Sequence, residues 1–324
     1  MSIKCEDYFK KLERERIVRR RFPDGNSLLY LNERVHNPDW ANTTTKNMLY
    51  TLDVPDRDLH LFIKRYALSG EYLQDAFTYE ILFSRFFNAL GVNALNSYPI
   101  ALQTTVDSNC YDNVAIASEN WSKVQGLDVN VIMAQREFYE FLKDNRNIIS
   151  NMLKNRENFC QSSEDGEDKS SLLDNYIKNS ILEIICMMLD NHLNNKRLVA
   201  LSGGKYEDIL SFDFEDTGLD LFRNSDDYEN FECSLQYATE IFAGATPLDN
   251  TSATYMDYLK SIKKMYLDGR LPQSSVELIK KLTTINTDEV IRQAEKTTGF
   301  QFPTTRKTFF KKLMDVNQEY FSHL

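Results

Sequence analysis

The chain has 324 residues, 42% of them hydrophobic and 27% charged, with a formal charge of −10 at pH 7. That acidity disfavours extended binding to nucleic acid, where affinity comes from neutralising phosphates with Lys and Arg. No apolar run reaches the roughly 18 residues of a membrane span, and residues 1–21 lack the apolar segment of a secretory leader. The expectation is a cytoplasmic globular protein with neither a nucleic-acid nor a membrane partner. The five cysteines are scattered and form no CxxC, so they read as free thiols and not as a disulfide frame or zinc site.

Taken in order, residues 5–20 have helical composition and form a basic arm with Arg19, Arg20 and Arg21. It reads as a solvated, partly helical arm, with a docking patch for an acidic partner as the competing reading. Pro23, Asp24, Gly25 and Asn26 form a turn cluster, residues 27–31 (SLLYL) predict a strand, and residues 38–46 are polar and irregular. Residues 48–52 and 59–66 (LHLFIKRY) flank a second turn cluster and predict a hairpin whose second strand carries Lys64. Residues 72–90 predict a helix, since apolar residues recur at Ala76, Tyr79, Leu82, Phe83, Phe86, Phe87 and Leu90, with Gly91 as its C-cap. Glu80 sits within that apolar frame. Residues 98–103 and 113–117 predict two more strands, the second running into Glu119, Asn120 and Trp121.

Helical spacing then covers 130–154, and residues 158–171 (NFCQSSEDGEDKSS) read as a mobile acidic loop. Residues 172–189 predict a buried helix that delivers Asp190, and residues 198–201 and 209–212 predict short strands joined through Gly203 and Gly204. Beyond Asp220 the sequence is helical, broken near 246–251 and 270–275. The outline is α+β and bilobal: a strand-rich N-lobe with one long helix over 1–120, and a mainly helical C-lobe over 121–324.

Phosphoryl transfer needs few protein groups, because positioning and charge neutralisation supply most of the catalysis. A Lys holds the nucleotide phosphates and a helix Glu orients it. An Asp handles the hydroxyl proton, and an Asn with a second Asp holds Mg²⁺. Lys64, Glu80, Asp190, Asn195 and Asp213 occur in that order on the matching predicted elements. Each alone has an ordinary reading. A strand Lys snorkels, Glu80 borders a buried stripe, DNHLNN forms a turn, and Asp213, Glu215 and Asp216 form a solvated acidic turn. His192, with no second histidine nearby, is a loop residue and not a zinc ligand. Five residues in one order favour the chemical reading.

DNHLNN followed by SFDFED resembles the D-x-H-x-x-N … D pattern of the HipA-type bacterial serine/threonine kinases. HLFIKRY, FTYEILFSRFFNALGVNALNSYPI and VAIASENW look like that family's Lys strand, Glu helix and interlobe linker, so the resemblance covers about residues 60–220. It implies a protein-kinase-like fold, ATP and Mg²⁺ as cofactors, and a protein Ser/Thr hydroxyl as acceptor, with autophosphorylation included. It further implies that Lys64 contacts the phosphates, Glu80 pairs with Lys64, Asp190 is the catalytic base, and Asn195 and Asp213 hold the metal. Glu119 and Trp121 fall on the linker beside the nucleotide base, with a core position as the competing reading of Trp121. The sequence departs from kinase patterns in several ways: Phe-Ile-Lys stands for I-x-K, an H-R-D order is absent, DFE stands where eukaryotic kinases have DFG, and there is no Gly-rich phosphate loop; the extra N-terminal domain of full-length HipA-type toxins is expected to be missing. A phosphoinositide-type or small-molecule kinase, and a silent pseudokinase acting as an interaction protein, are the alternatives.

Overall fold

The computed structural model describes residues 18–21, 28–31, 41–42, 47–54, 59–66, 71–101, 114–119, 127–145, 149–161, 169–188, 193–201, 204–214 and 254–324. Seven strands of the first part make one sheet: β1 (Val18–Arg21), β2 (Leu28–Leu31), β3 (Ala41–Asn42), β4 (Asn47–Val54), β5 (Leu59–Tyr66), β6 (Ser97–Ala101) and β7 (Val114–Glu119). Their spatial order is β1-β2-β6-β7-β5-β4-β3, with β2–β6 the one parallel pair. Strand β5 is therefore interior. Lys64 faces Leu49 of β4 on one side and Ile116 of β7 on the other. Neighbouring residues on a strand point to opposite faces, which is how Ile63 is fully buried while Lys64 is not.

Between β5 and β6 runs helix α1 (Glu71–Ala89). Its aromatic stripe is buried against the C-terminal helices, and it ends in a left-handed glycine. Gly91 has φ +81°, Val92 N–H donates to the Phe87 carbonyl at 2.9 Å and Gly91 N–H to that of Asn88 at 3.1 Å. This closure satisfies carbonyls that the helix end would leave unpaired.

A three-stranded antiparallel sheet follows in the second part, ordered β10-β9-β8: β8 (Leu127–Val131), β9 (Lys196–Leu201) and β10 (Asp208–Ser211). Helices α2 (Arg136–Asp144), α3 (Ile149–Gln161) and α4 (Ser170–Ile185) lie between β8 and β9. Helix α4 is the centre of the core. Leu172, Leu173, Tyr176, Ile177, Ile181, Leu182, Ile184 and Ile185 are all buried, so it is apolar around most of its girth. Its last turn is closed by Tyr255, which donates to the Ile185 carbonyl at 2.9 Å and accepts from Asn317 Nδ2 at 2.8 Å. Helices α5 (Tyr255–Leu267), α6 (Gln273–Leu282), α7 (Thr287–Thr298) and α8 (Thr304–Ser322) complete the chain. The last helix and the segment before it pack on α1 through aromatic contacts. Phe310 meets Phe83 at 5.4 Å and Phe86 at 5.1 Å, edge-on in both cases, and Phe300 meets Phe77 at 6.1 Å. No helix among the described residues is long and apolar enough to cross a membrane.

Several sequence expectations need correction. Val18–Arg21 is a strand paired with Leu28–Leu31, so the basic arm is not helical through residue 20. Ala41–Asn42 adds a short strand inside the segment read as irregular. The helical spacing over 130–154 conceals the end of β8, a short 3-10 turn (Ile132–Ala134) and two helices separated at Asn145. Strand β8 pairs with β9, some seventy residues on, and local periodicity carries no sign of so distant a partner. The polar segment 158–171 is helical at both ends, since α3 runs to Gln161 and α4 starts at Ser170; residues 162–168 lie outside the described residues.

Replacing Gly91 by Ala places a Cβ 3.2 Å from Lys281 Nζ, which is the movable end of a long side chain. The cost is then mainly that of the left-handed backbone, about 1–2 kcal/mol. Equilibrium urea unfolding is expected to show that loss with an unchanged m-value.

Candidate functional site

The elements fix the candidate residues by three local devices. The first is the α1 closure just described. After Gly91 the chain runs beside β10: Leu95 N–H donates to the Ser211 carbonyl at 2.9 Å, and Ser211 N–H donates to the Asn93 carbonyl at 3.0 Å. Asn93 Nδ2 also donates to Asp208 Oδ2 at 2.6 Å. The free edge of β10 is thereby joined in parallel to the segment that follows α1. Burial raises the Asp208 carboxyl above its ordinary pKa, against hydrogen bonds from Ile209 N–H and Asn93 and the charge of Lys178.

The second device is the end of β10. Asp213 has φ +69°, a left-handed conformation that Asp tolerates better than most residues because its side chain is short and polar. This kink separates three consecutive residues. Phe212 lies under the Arg197 guanidinium, 4.8 Å from its ring centre. Asp213 forms an ion pair with Lys64. Phe214 is buried against Phe87 of α1, edge-on at 4.9 Å. Strain of this kind collects where a side chain must be aimed.

The third device is the turn before β9. Residues Leu193–Asn195 form a 3-10 turn, and Asn195 is buried. Phe212 N–H donates to the Asn195 carbonyl at 3.2 Å, so Asn195 lies across the hairpin from Phe212, the residue before Asp213. Arg197 Nη1 donates to the carbonyls of Asn194 at 2.7 Å and Lys196 at 2.9 Å, which clamps the turn.

These devices bring Lys64, Glu80 and Asp213 together. Lys64 Nζ lies 3.4 Å from Glu80 Oε1 and in short contact with Asp213 Oδ1. Glu80 is almost fully buried on α1, while Lys64 and Asp213 keep partial access to solvent. A single cation thus holds two carboxylates from segments 149 residues apart at its farther partner. Asn195 joins them through the hairpin backbone. Asp190, His192 and Trp121 lie outside the described residues, and of Glu119 only the strand position is described: it pairs with Leu61 at the end of β7.

Asn195 and Asp213 offer hard oxygen donors, and the Asp213 carboxylate already engages a cation. Mg²⁺ takes one or two carboxylates together with phosphate oxygens and waters, so a set with one carboxylate fits that ion. Among the described residues no group of three or more His, Cys, Asp or Glu stands as a metal cage.

The residues missed from the sequence are Arg197, Lys196, Glu183, Asn179 and Ser211. Lys196 and Arg197 extend the polar run NNKR and carry no local sign of burial. Only the pairing of β9 with β10 and α4 reveals their use.

No family model matches the chain, and no curated protein matches it. Among solved structures, a proinflammatory kinase of Helicobacter pylori, CtkA, is matched at 12% identity with a TM-score of 0.46, over 90% of this chain and 98% of that chain. At that level the likeness does not by itself define a shared fold.

A double-mutant cycle on Lys64→Met and Asp213→Asn is expected to give a coupling of about 1 kcal/mol in urea unfolding at low salt. Raising the ionic strength should shrink it only partly, because the pair is half-buried.

Proposed function

We propose that the protein is an ATP- and Mg²⁺-dependent phosphotransferase of protein-kinase-like, two-lobed construction, and that its acceptor is a Ser or Thr hydroxyl of a protein. The observation that carries this reading is Lys64 held between Glu80 and Asp213. A strand Lys oriented by a helix Glu and adjoining a metal-binding Asp is the group that phosphoryl transfer requires. The order of strand, helix, turn and hairpin supports it, as does the left-handed Asp213 beside Asn195.

In this reading Lys64, kept in place by Glu80, donates to the nucleotide phosphates. Asn195 and Asp213 would hold Mg²⁺, which when bound screens phosphate charge and so lowers the barrier to attack. Asp190, which follows α4 in the sequence, orients the acceptor hydroxyl and takes its proton as the new P–O bond forms and the bond to ADP breaks. A bound nucleotide would compete with Asp213 for Lys64. With nucleotide bound, the phosphates would accept from Lys64 and Asp213 would hold the cation, so neither charge would be left uncompensated. Glu119 ends β7 and Trp121 follows two residues on in the sequence, and in this reading they border the base. The net charge of −10 fits a protein or small acceptor better than an anionic membrane.

Asp190→Ala is expected to reduce transfer of labelled γ-phosphate by about 10²–10⁴ while the Mg·ATP-dependent rise in melting temperature persists. Asp213→Ala should lose both. At a hundred times its Kd, Mg·ATP adds about 2.7 kcal/mol of stability. A wild-type protein whose melting temperature is unmoved by millimolar Mg·ATP would favour an interaction protein that keeps the site without turnover. Labelled phosphate appearing on inositides and on no protein acceptor would favour the lipid-kinase alternative.

A further inference from the structure

Four polar side chains that no step above uses are buried together behind the hairpin: Lys196 at 1% exposure, Glu183 at 5%, Asn179 at 0% and Ser211 at 1%. Lys196 Nζ lies 2.9 Å from Glu183 Oε1 and 6.0 Å from the centre of the Tyr176 ring. With its amide oriented by its neighbours, Asn179 donates to Glu183 Oε1 at 2.8 Å and accepts from Ser211 Oγ at 2.6 Å. Asn179 and Glu183 are one turn apart on α4 and so share a face. Lys196 and Ser211 are register partners in β9 and β10. The cluster therefore ties both strands of the hairpin to one face of the central helix.

Stability alone does not account for it. Withdrawing a Lys and a Glu from water costs about as much as their attraction returns, and an apolar pair of similar volume commonly holds a fold equally well. A hydrogen-bonded ion pair does something an apolar pair does not: it fixes distance and direction. Its two strand anchors are Lys196, which follows Asn195 directly, and Ser211, two residues before Asp213. Ser211 also bonds through both backbone groups to residues 93 and 95, so the cluster communicates with the end of α1.

We propose that the Lys196–Glu183 pair, with Asn179 and Ser211, is a positioning device that sets the spacing of Asn195 and Asp213 and thereby the affinity for the divalent cation. The proposal rests on the phosphotransferase reading for the identity of that cation. Residues that orient metal ligands without touching the metal typically account for about 10–100-fold in metal affinity.

The test uses the double variant Lys196→Met/Glu183→Leu, which replaces the pair by apolar side chains of similar length. Binding of a non-hydrolysable ATP analogue is measured by calorimetry with Mg²⁺ and again in EDTA, beside urea unfolding. The expected result is a wild-type unfolding midpoint or better, unchanged affinity in EDTA, and a loss of about 10–100-fold in the Mg²⁺-dependent gain. Should the double variant not fold, Ser211→Ala decides, with an expected loss of about threefold in that gain. A full Mg²⁺-dependent gain in a folded variant overturns the positioning role while leaving the phosphotransferase reading intact. Equal losses with and without Mg²⁺ also overturn it, since they indicate general damage. No nucleotide binding by the wild type overturns both.

Discussion

Ser211 bonds in two directions at once, and the candidate site depends on it. Its N–H and carbonyl go to Asn93 and Leu95, on the segment that leaves α1. Its hydroxyl goes to Asn179 of the central helix. An edge strand normally offers unpaired backbone groups to any passing chain; here β10 uses that edge to fasten the second sheet to the helix that carries Glu80. Two residues later the left-handed turn at Asp213 directs a carboxylate to Lys64 and lets Phe214 pack on Phe87 of the same helix. The helix, its lysine strand and the hairpin are thus held in one geometry by backbone bonds, an aromatic contact and an ion pair.

The charges are arranged with the same economy. Glu80 is buried and Lys64 is the cation within reach of it, so the carboxylate does not stand alone in an apolar frame. Asp213 shares that cation while keeping access to solvent. A pair with one partly exposed partner can exchange that partner for a ligand, and in the proposed function a phosphate with its metal ion would supply the replacement charges. Lys196 and Glu183 differ in being enclosed on both sides, which suits a fixed support and not an exchangeable contact.

What could be read from the sequence follows from where each signal resides. Strands β4, β5, β6 and β7, helix α1 and helix α4 announce themselves through local period and turn residues, and Gly91 through its place after the last apolar residue. Lys64, Glu80 and Asp213 were legible as types in an order, although their meeting at one point is a tertiary fact. Strand β8 was hidden because its partner is remote, and a five-residue strand entering a polar helical region leaves no period of its own. The Lys196–Glu183 pair was hidden for a different reason. Lysine in NNKR and glutamate in ILEII read as solvated and marginal, and burial of a matched pair is decided by which strand lies against which helix. The left-handed Asp213 gave no sign either, because Asp is common at turns of every kind.

In the proposed function Lys64 exchanges Asp213 for nucleotide phosphates while Glu80 stays with it. A crystal structure with a non-hydrolysable ATP analogue and Mg²⁺ measures this directly. The expected result is Lys64 on the phosphates, still paired with Glu80, and Mg²⁺ bound by Asn195 and Asp213. An intact Lys64–Asp213 pair with the nucleotide bound elsewhere, or a metal held without Asn195 and Asp213, would contradict it.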